Sequence, residues 1–415
     1  MMSTIFKSEK RSKFYEQSGL PFFDAFYEKG NKEKVYYSYA LYTCRKESEK
    51  RLKMIEEGSA LVAQVFDKVL ERIKHWEKEE FEKWHFDPKY QDLVKLDWDK
   101  FFCMRVGWAF DGNQPKVMEI NSQTPSFWFE PEMGNPLLAK QFNRKNAHPF
   151  SQKYLKQALN EAIKQGIEKR PTIYGDKPKV GFITCNWYED LHIMNWLSQF
   201  CDYDFEILAI NNLDFTKKEK IPFNRETGSG LDVLILWYPL EWLKNLKFQD
   251  GSSVWKIFIE AIEAETTSVI HALPAFFIQS KAILAYITEH ERDIFVGKLA
   301  KAKKFFAKTY LSPEKLGDKY CAKPIFGREG RGSFIKDEDT ITRSRYQEDY
   351  YVKQPMIYQQ LLKLPKLEIE NKEIHLIYEA WVYRAYNTLV PGAIGVRGSE
   401  HLITDDYSYW VPIGV

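Results

Sequence analysis

Arg105, Glu119 and Asn121 are spaced as three polar side chains on one face of a β-hairpin. The runs 104–110 and 116–121 alternate in hydropathy around Asp111-Gly112-Asn113, the pattern of two antiparallel strands joined by a tight turn. With the turn centred near Asn113, Gly107 falls opposite Glu119 and Arg105 opposite Asn121. Side chains alternate faces along a strand. Arg105, Gly107, Glu119 and Asn121 therefore share one face, and Met104, Val106, Trp108, Met118 and Ile120 form a core face. Glu119 and Asn121 are hard oxygen donors of the kind Mg²⁺ takes, with phosphate and water completing its shell. Arg105 offers a fork suited to phosphate or to a developing oxyanion. The same spacing also fits an ordinary surface hairpin with an Arg–Glu pair. Thr124 and Ser126 follow in a hydroxyl-rich turn, which can present donors to an anion or serve the turn alone.

A second constellation runs from Ala322 to Ser333. Lys323 leads into Gly327, Gly330 and Gly332, interleaved with Arg328 and Arg331. Glycines let the backbone approach a ligand and basic side chains neutralise phosphate. The spacing is neither GxxxxGK[ST] nor GxGxxG, so P-loop and Rossmann readings do not apply, and a solvated surface turn remains the alternative. The segment 357–365 joins two strand-like pieces and could offer backbone groups to a purine edge. Lys281 falls at a helix start, where a lone lysine is usually exposed.

These residues need a scaffold. Helical spacing, as at Leu61, Val65, Val69 and Ile73, reads residues 35–95 as helix, and 152–168 is amphipathic helix. A buried strand at 178–184, a helix through LHIMNWLSQF and a second strand at 231–237 mark a small parallel α/β unit. Segment 214–230 reads as a polar loop, and helices are expected over 254–265 and 281–306. The last hundred residues alternate strand and turn, as an antiparallel sheet closing over something.

The bulk composition excludes several functions. With 415 residues the chain is too long for one ordinary core. Its 60 basic and 58 acidic residues nearly cancel, which argues against a nucleic-acid partner or a polybasic membrane binder. No run reaches the length of a membrane span, and the N-terminus lacks a signal-peptide core. Cys44, Cys103, Cys185, Cys201 and Cys321 form no CxxC pair, so small buried thiols in a reducing, cytoplasmic compartment are expected. The histidines form neither HxH nor HExxH.

Taken in order, these segments resemble the glutathionylspermidine synthase family over nearly the whole chain. The resemblance rests on Arg105, then Glu119-Ile120-Asn121 with Thr124 and Ser126; on Glu189-Asp190 after the first α/β strand; on Tyr238-Pro239-Leu240-Glu241-Trp242; on Gln279-Ser280-Lys281-Ala282-Ile283-Leu284; on Lys323 through Gly330; and on Ala393-Ile394-Gly395-Val396-Arg397. It implies an α+β, ATP-grasp-like fold with a small preceding α/β (preATP-grasp) unit. The implied organisation is a helical region at 1–100, a metal and phosphate hairpin with a helix at 101–170, a substrate-side α/β unit at 171–270 and a nucleotide-binding lobe at 271–415.

The activity implied is C–N ligation with ATP and Mg²⁺, joining a small-molecule carboxylate such as a glutathione-like peptide to a polyamine-like amine through an acyl phosphate. Glu119 and Asn121 would bind the metal. Lys281, Lys323 and Gly330 would hold phosphates, with Gln360 and Leu361 at the adenine. Arg105 and Arg397 would serve the chemistry, and Thr124, Ser126, Glu189, Asp190 and Arg328 would face the substrates. There are two departures from the family. Gly107 stands where the family has a metal-binding Asp, and Asp111 would replace it only if the turn folded back. The family's amidase domain has no room in this chain, so a synthetase-only version is expected. Gly107 also leaves open a non-catalytic nucleotide- or metabolite-binding homologue, and a peptide-modifying ligase is a further alternative.

Overall fold

The computed structural model describes residues 8–18, 39–91, 94, 101–170, 177–248, 250–405 and 407–415. Among them, Glu49–Ile73 is a 25-residue helix capped by Ser48, whose hydroxyl accepts from the Arg51 N–H. Leu52, Ile55, Val62, Phe66, Val69 and Ile73 recur at helical spacing and are buried. The helix ends where Trp76 turns inward, its ring centroid 5.5 Å from Phe81 and 5.2 Å from Tyr286. The helix expected over 35–95 is therefore shorter and interrupted: residues 39–48 are not helical, Arg45–Lys46 being a short strand, and a short second helix, Lys78–Lys83, follows the long one. Residues 35–38, 92, 93 and 95 of that stretch lie outside the described residues.

The hairpin consists of β1 (Cys103–Asp111) and β2 (Gln114–Asn121), and its register pairs Arg105 with Asn121 and Gly107 with Glu119, as the sequence predicts. Gly112, at φ +58°, opens the two-residue turn. One expectation fails here. A bulge between Gly107 and Trp108 pairs Trp108 with Val117, so Val117 enters the core and Met118 is only half-buried. The extra residue of a bulge shifts alternation by one position on one strand only, and this bulge leaves no composition signal.

Strands Asp204–Ala209, Lys179–Thr184, Val233–Trp237 and Ser268–Ile270 form, in that spatial order, a parallel sheet. Helix Tyr188–Ser198 and helix Ser151–Lys169 pack on it. The polar segment 214–230 is not simply a loop: Leu213–Phe215 pairs with Pro222–Asn224. His271, left-handed at φ +73°, precedes helix Ala272–Gln279. The helix expected over 281–306 is divided into Ala282–Glu289, Glu291–Ile294 and a 3₁₀ segment, Gly297–Phe305. Extended Val296 and Gly297 at φ +57° interrupt it.

Two antiparallel sheets complete the fold. In the first, Thr309–Tyr310, β4 (Met356–Gln360), β3 (Lys319–Pro324), Phe334–Asp337 and Thr340–Arg343 lie side by side. In the second, Tyr409–Trp410, β6 (Thr388–Ser399), β5 (Lys372–Ala385), β1 and β2 follow in order, and Lys366–Ile369 also pairs with β5. Trp128 joins this sheet to the parallel one, stacking on Trp381 at 4.3 Å and on Trp237 at 5.2 Å. Among the described residues no helix is long and apolar enough to cross a membrane. Among the described residues no disulfide joins any two of the five cysteines.

Gly395 lies under the turn that follows β2. A Cβ there would stand 2.3 Å from the Phe127 ring, and Phe127 itself is left-handed at φ +73°. Its carbonyl accepts from Trp381 Nε1 at 3.1 Å. Gly395→Ala is expected to destabilise the chain by about 1–3 kcal/mol through overpacking, read as a lower denaturation midpoint with an unchanged slope.

Candidate functional site

The polar face of the hairpin meets two lysines from separate elements. Lys281, at the N-terminus of helix Ala282–Glu289, is 4% exposed, and its Nζ lies 3.3 Å from Glu119 Oε2 while donating to the Gly327 carbonyl at 2.8 Å. It is thus not the exposed lysine that a helix start usually carries. Lys323, on β3 and 7% exposed, donates to the Met118 carbonyl at 3.0 Å and to Gln359 Oε1 at 2.9 Å. Asn121 Nδ2 donates to Glu119 Oε1 at 3.3 Å.

The charges act on one another. Burial favours a neutral Glu119, but Lys281, Lys323, the Asn121 amide and Arg105 together hold its carboxyl down at about 2. Burial pushes the Lys281 ammonium down, against the pull of Glu119. Arg397, on β6, senses Glu379 and Glu119 and hydrogen-bonds the Asp405 carbonyl at 3.4 Å. Arg105 Nη1 donates to the Ser126 carbonyl, and its Nε lies 3.2 Å from Glu379 Oε2. The Ser126 side chain is exposed, so its contribution here is its backbone.

The turn after β2 is fixed by buried polar partners. Gln279 Oε1 accepts from the Ser122 and Gln123 N–H groups at 2.8 and 3.2 Å, and Ser122 Oγ donates to the Ala275 carbonyl at 2.7 Å. His271, which burial holds neutral with its titration pushed down to about 4, reaches the Ser122 carbonyl through Nε2. Gln123 Nε2 donates to Glu241 Oε2 at 2.8 Å. Arg328 donates to Thr124 Oγ1 and to Glu241 Oε1, both at 2.9 Å, and lies 5.3 Å over the Trp242 ring. Trp242 in turn meets exposed Trp187, just before Glu189 and Asp190 in the first turn of helix Tyr188–Ser198.

Other nominated residues have more structural company. Gly330, at φ +68°, sits where a Cβ would meet the Thr404 carbonyl at 2.5 Å, so only glycine fits. The Gln360 N–H donates to the Lys308 carbonyl at 2.8 Å, so it is not a donor for a purine edge, and an adenine role would fall to its carbonyl or to Leu361. Asp111 is exposed at the turn, and the hairpin does not fold back to bring it to Gly107.

Sequence reasoning missed Glu379 and Glu130. Glu379 pairs directly with Gly107 across β5 and β1. Burial pushes its carboxyl up, while Arg105 and Arg397 pull it down. Glu130 accepts from Tyr39 and interacts electrostatically with Arg105 and Arg397. An acid inside the apolar run Ile374–Val382 was the available signal for Glu379, since buried acids are rare without a partner. Gln279 and Glu241 were visible as motif members but carried no assigned role. Among the described residues no three His, Cys, Asp or Glu side chains gather as a self-contained metal cage. The Glu119 and Asn121 donors suit a hard cation that takes most of its shell from phosphate and water.

Known proteins similar to this chain bear on its family and fold. A "Putative acid--amine ligase" of Haemophilus influenzae (strain ATCC 51907 / DSM 11121 / KW20 / Rd) is 20% identical over 352 residues, covering 81% of this chain and 80% of that protein. The solved apo structure of a glutathione synthetase-like effector from Globodera pallida superposes with a TM-score of 0.59 at 10% identity, covering 98% of this chain and 95% of the other. That likeness shows a glutathione synthetase-like ATP-grasp fold. The family model "Glutathionylspermidine synthase preATP-grasp" matches residues 2–415, and the chain belongs to that family.

Proposed function

We propose that this protein is an ATP- and Mg²⁺-dependent ligase that joins a small-molecule carboxylate to an amine. The observation that carries the reading is the convergence of Lys281 and Lys323 on the strand bearing Glu119 and Asn121, with Arg105 and Arg397 on the same sheet. Lysines of this kind neutralise a triphosphate, and two arginines can follow charge as it moves. A divalent cation held by Glu119 and Asn121 would neutralise charge on the phosphates.

In the first step a carboxylate oxygen of the acid attacks the γ-phosphorus of ATP, the bond to ADP breaks, and an acyl phosphate forms. In the second step the amine nitrogen attacks the acyl carbon. The carbon–oxygen bond breaks, phosphate leaves with the amine proton, and an amide remains. Lys281 and Lys323 hold the phosphates, and Arg105 and Arg397 steady the transferred phosphoryl group and the tetrahedral oxyanion. Arg328, aligned by Glu241 and Thr124, faces the acid together with Thr124 and Ser126. Glu189 and Asp190 suit a cationic amine. Gly330 and its neighbours cover the phosphates and limit hydrolysis of the acyl phosphate. A glutathione-like peptide and a polyamine-like amine are the substrate classes proposed.

The test is ADP release from ATP and Mg²⁺ with panels of acids and amines, and mass spectrometry for a product weighing acid plus amine minus water. ATP binding without ADP release from any pair overturns the ligase reading in favour of a non-catalytic binder. Lys323→Met is expected to weaken ATP binding roughly tenfold or more, the scale of a lost hydrogen bond to a charged group, as measured by calorimetry. The Glu119 carboxyl, held at about 2 in the fold, should contribute stability that is present above its ordinary range near 4.5 and lost as pH falls towards 2. The melting-temperature difference between wild type and Glu119→Gln is therefore expected to be largest above pH 5 and to shrink by pH 3.

A further inference from the structure

Gly107 leaves a gap on the face where the hairpin gathers its polar groups. Across the sheet, Gly107 pairs with Glu119 on one side and with Glu379 on the other, so three neighbouring strands place these positions in one row. A Cβ built on Gly107 would stand 3.3 Å from Glu119 Cγ and 3.5 Å from Glu379 Oε2. The Glu379 carboxylate thus borders the space into which a side chain at 107 would project. Neighbouring strands lie about 4.8 Å apart, a distance that the longer reach of Glu spans.

Glu379 is 2% exposed, and among the described residues its Oε2 has no hydrogen-bond partner, although Arg105 Nε is 3.2 Å away in an ion pair. A buried carboxylate oxygen left in this state is unfavourable unless another group meets it. Glu119 is close enough for the two acids to repel, and a shared cation relieves that repulsion.

We infer that Glu379 supplies the metal carboxylate that position 107 lacks, so that Glu119, Asn121 and Glu379 form the protein's part of a divalent-cation site. The carboxylate has moved one strand across the sheet while facing the same space. This inference rests on the ligase reading and deepens it.

The test uses Mn²⁺ as probe. Free Mn²⁺ is followed by electron paramagnetic resonance in the presence of ATP, and ATP binding is measured separately in chelator. Glu379→Gln is expected to weaken Mn²⁺ binding roughly tenfold or more while metal-free ATP binding does not fall. The exchange variant Gly107→Asp/Glu379→Gly is expected to bind Mn²⁺ within about threefold of wild type. Unchanged Mn²⁺ binding in Glu379→Gln overturns the inference and leaves Glu379 as the counter-charge of Arg105. Should Glu379→Gln fail to fold, the exchange variant decides, and its failure to bind Mn²⁺ is equally fatal. A wild type that binds neither Mn²⁺ nor ATP removes the ligase reading along with the inference, whereas one that binds both separates the two.

Discussion

The contact between Lys281 and Glu119, with Lys323 seated 3.0 Å from the neighbouring Met118 carbonyl, ties the two antiparallel sheets together. Burying unlike charges is favourable only when each keeps its hydrogen bonds and its partner. The Gly327 carbonyl and Gln359 meet that need for the two lysines, and Asn121 helps to meet it for Glu119. The same arrangement keeps Glu119 ionised over the whole physiological range, the state the proposed cation site needs. On the proposed reading, fold and site use the same charges, and the lysines are held in place ahead of a phosphate.

The turn after β2 shows a second layer of positioning. It carries Thr124 and Ser126, yet almost every polar group around it is committed to a buried partner. Gln279 satisfies two of its backbone N–H groups, His271 takes the Ser122 carbonyl, and Arg105 takes the Ser126 carbonyl. Phe127 holds a left-handed backbone, a conformation that ordinarily costs about 1–3 kcal/mol and persists where surrounding packing fixes it. Here the Gly395 backbone beneath the ring and the Trp381 hydrogen bond supply that packing. Such rigid support is what a positioned anion site requires.

Arg328 and Glu241 link this turn to the parallel sheet. Glu241 receives Gln123 and Arg328 on its two carboxylate oxygens, while the Leu240 N–H donates to Gln123 Oε1 at 2.8 Å. With Trp242 beneath the guanidinium, Arg328 is oriented by charge, hydrogen bond and ring face together. A single glutamate thus aligns groups from two distant stretches of chain.

The sequence alone determined the hairpin, its register opposite Gly107, the parallel unit and the order of the motifs. Each is written in local pattern: period-two alternation about a turn, short apolar runs, glycines among arginines. It did not determine which of two adjacent residues, Val117 or Met118, enters the core, because one extra residue in a bulge is decided by the partner strand. Nor did it show that Lys281 would be buried, that the Gln360 N–H would be taken by Lys308, or that Glu379 would stand beside the glycine gap. Those facts depend on residues 46 to 272 positions apart meeting in space, and only tertiary packing, through the balance of desolvation against charge, selects such contacts.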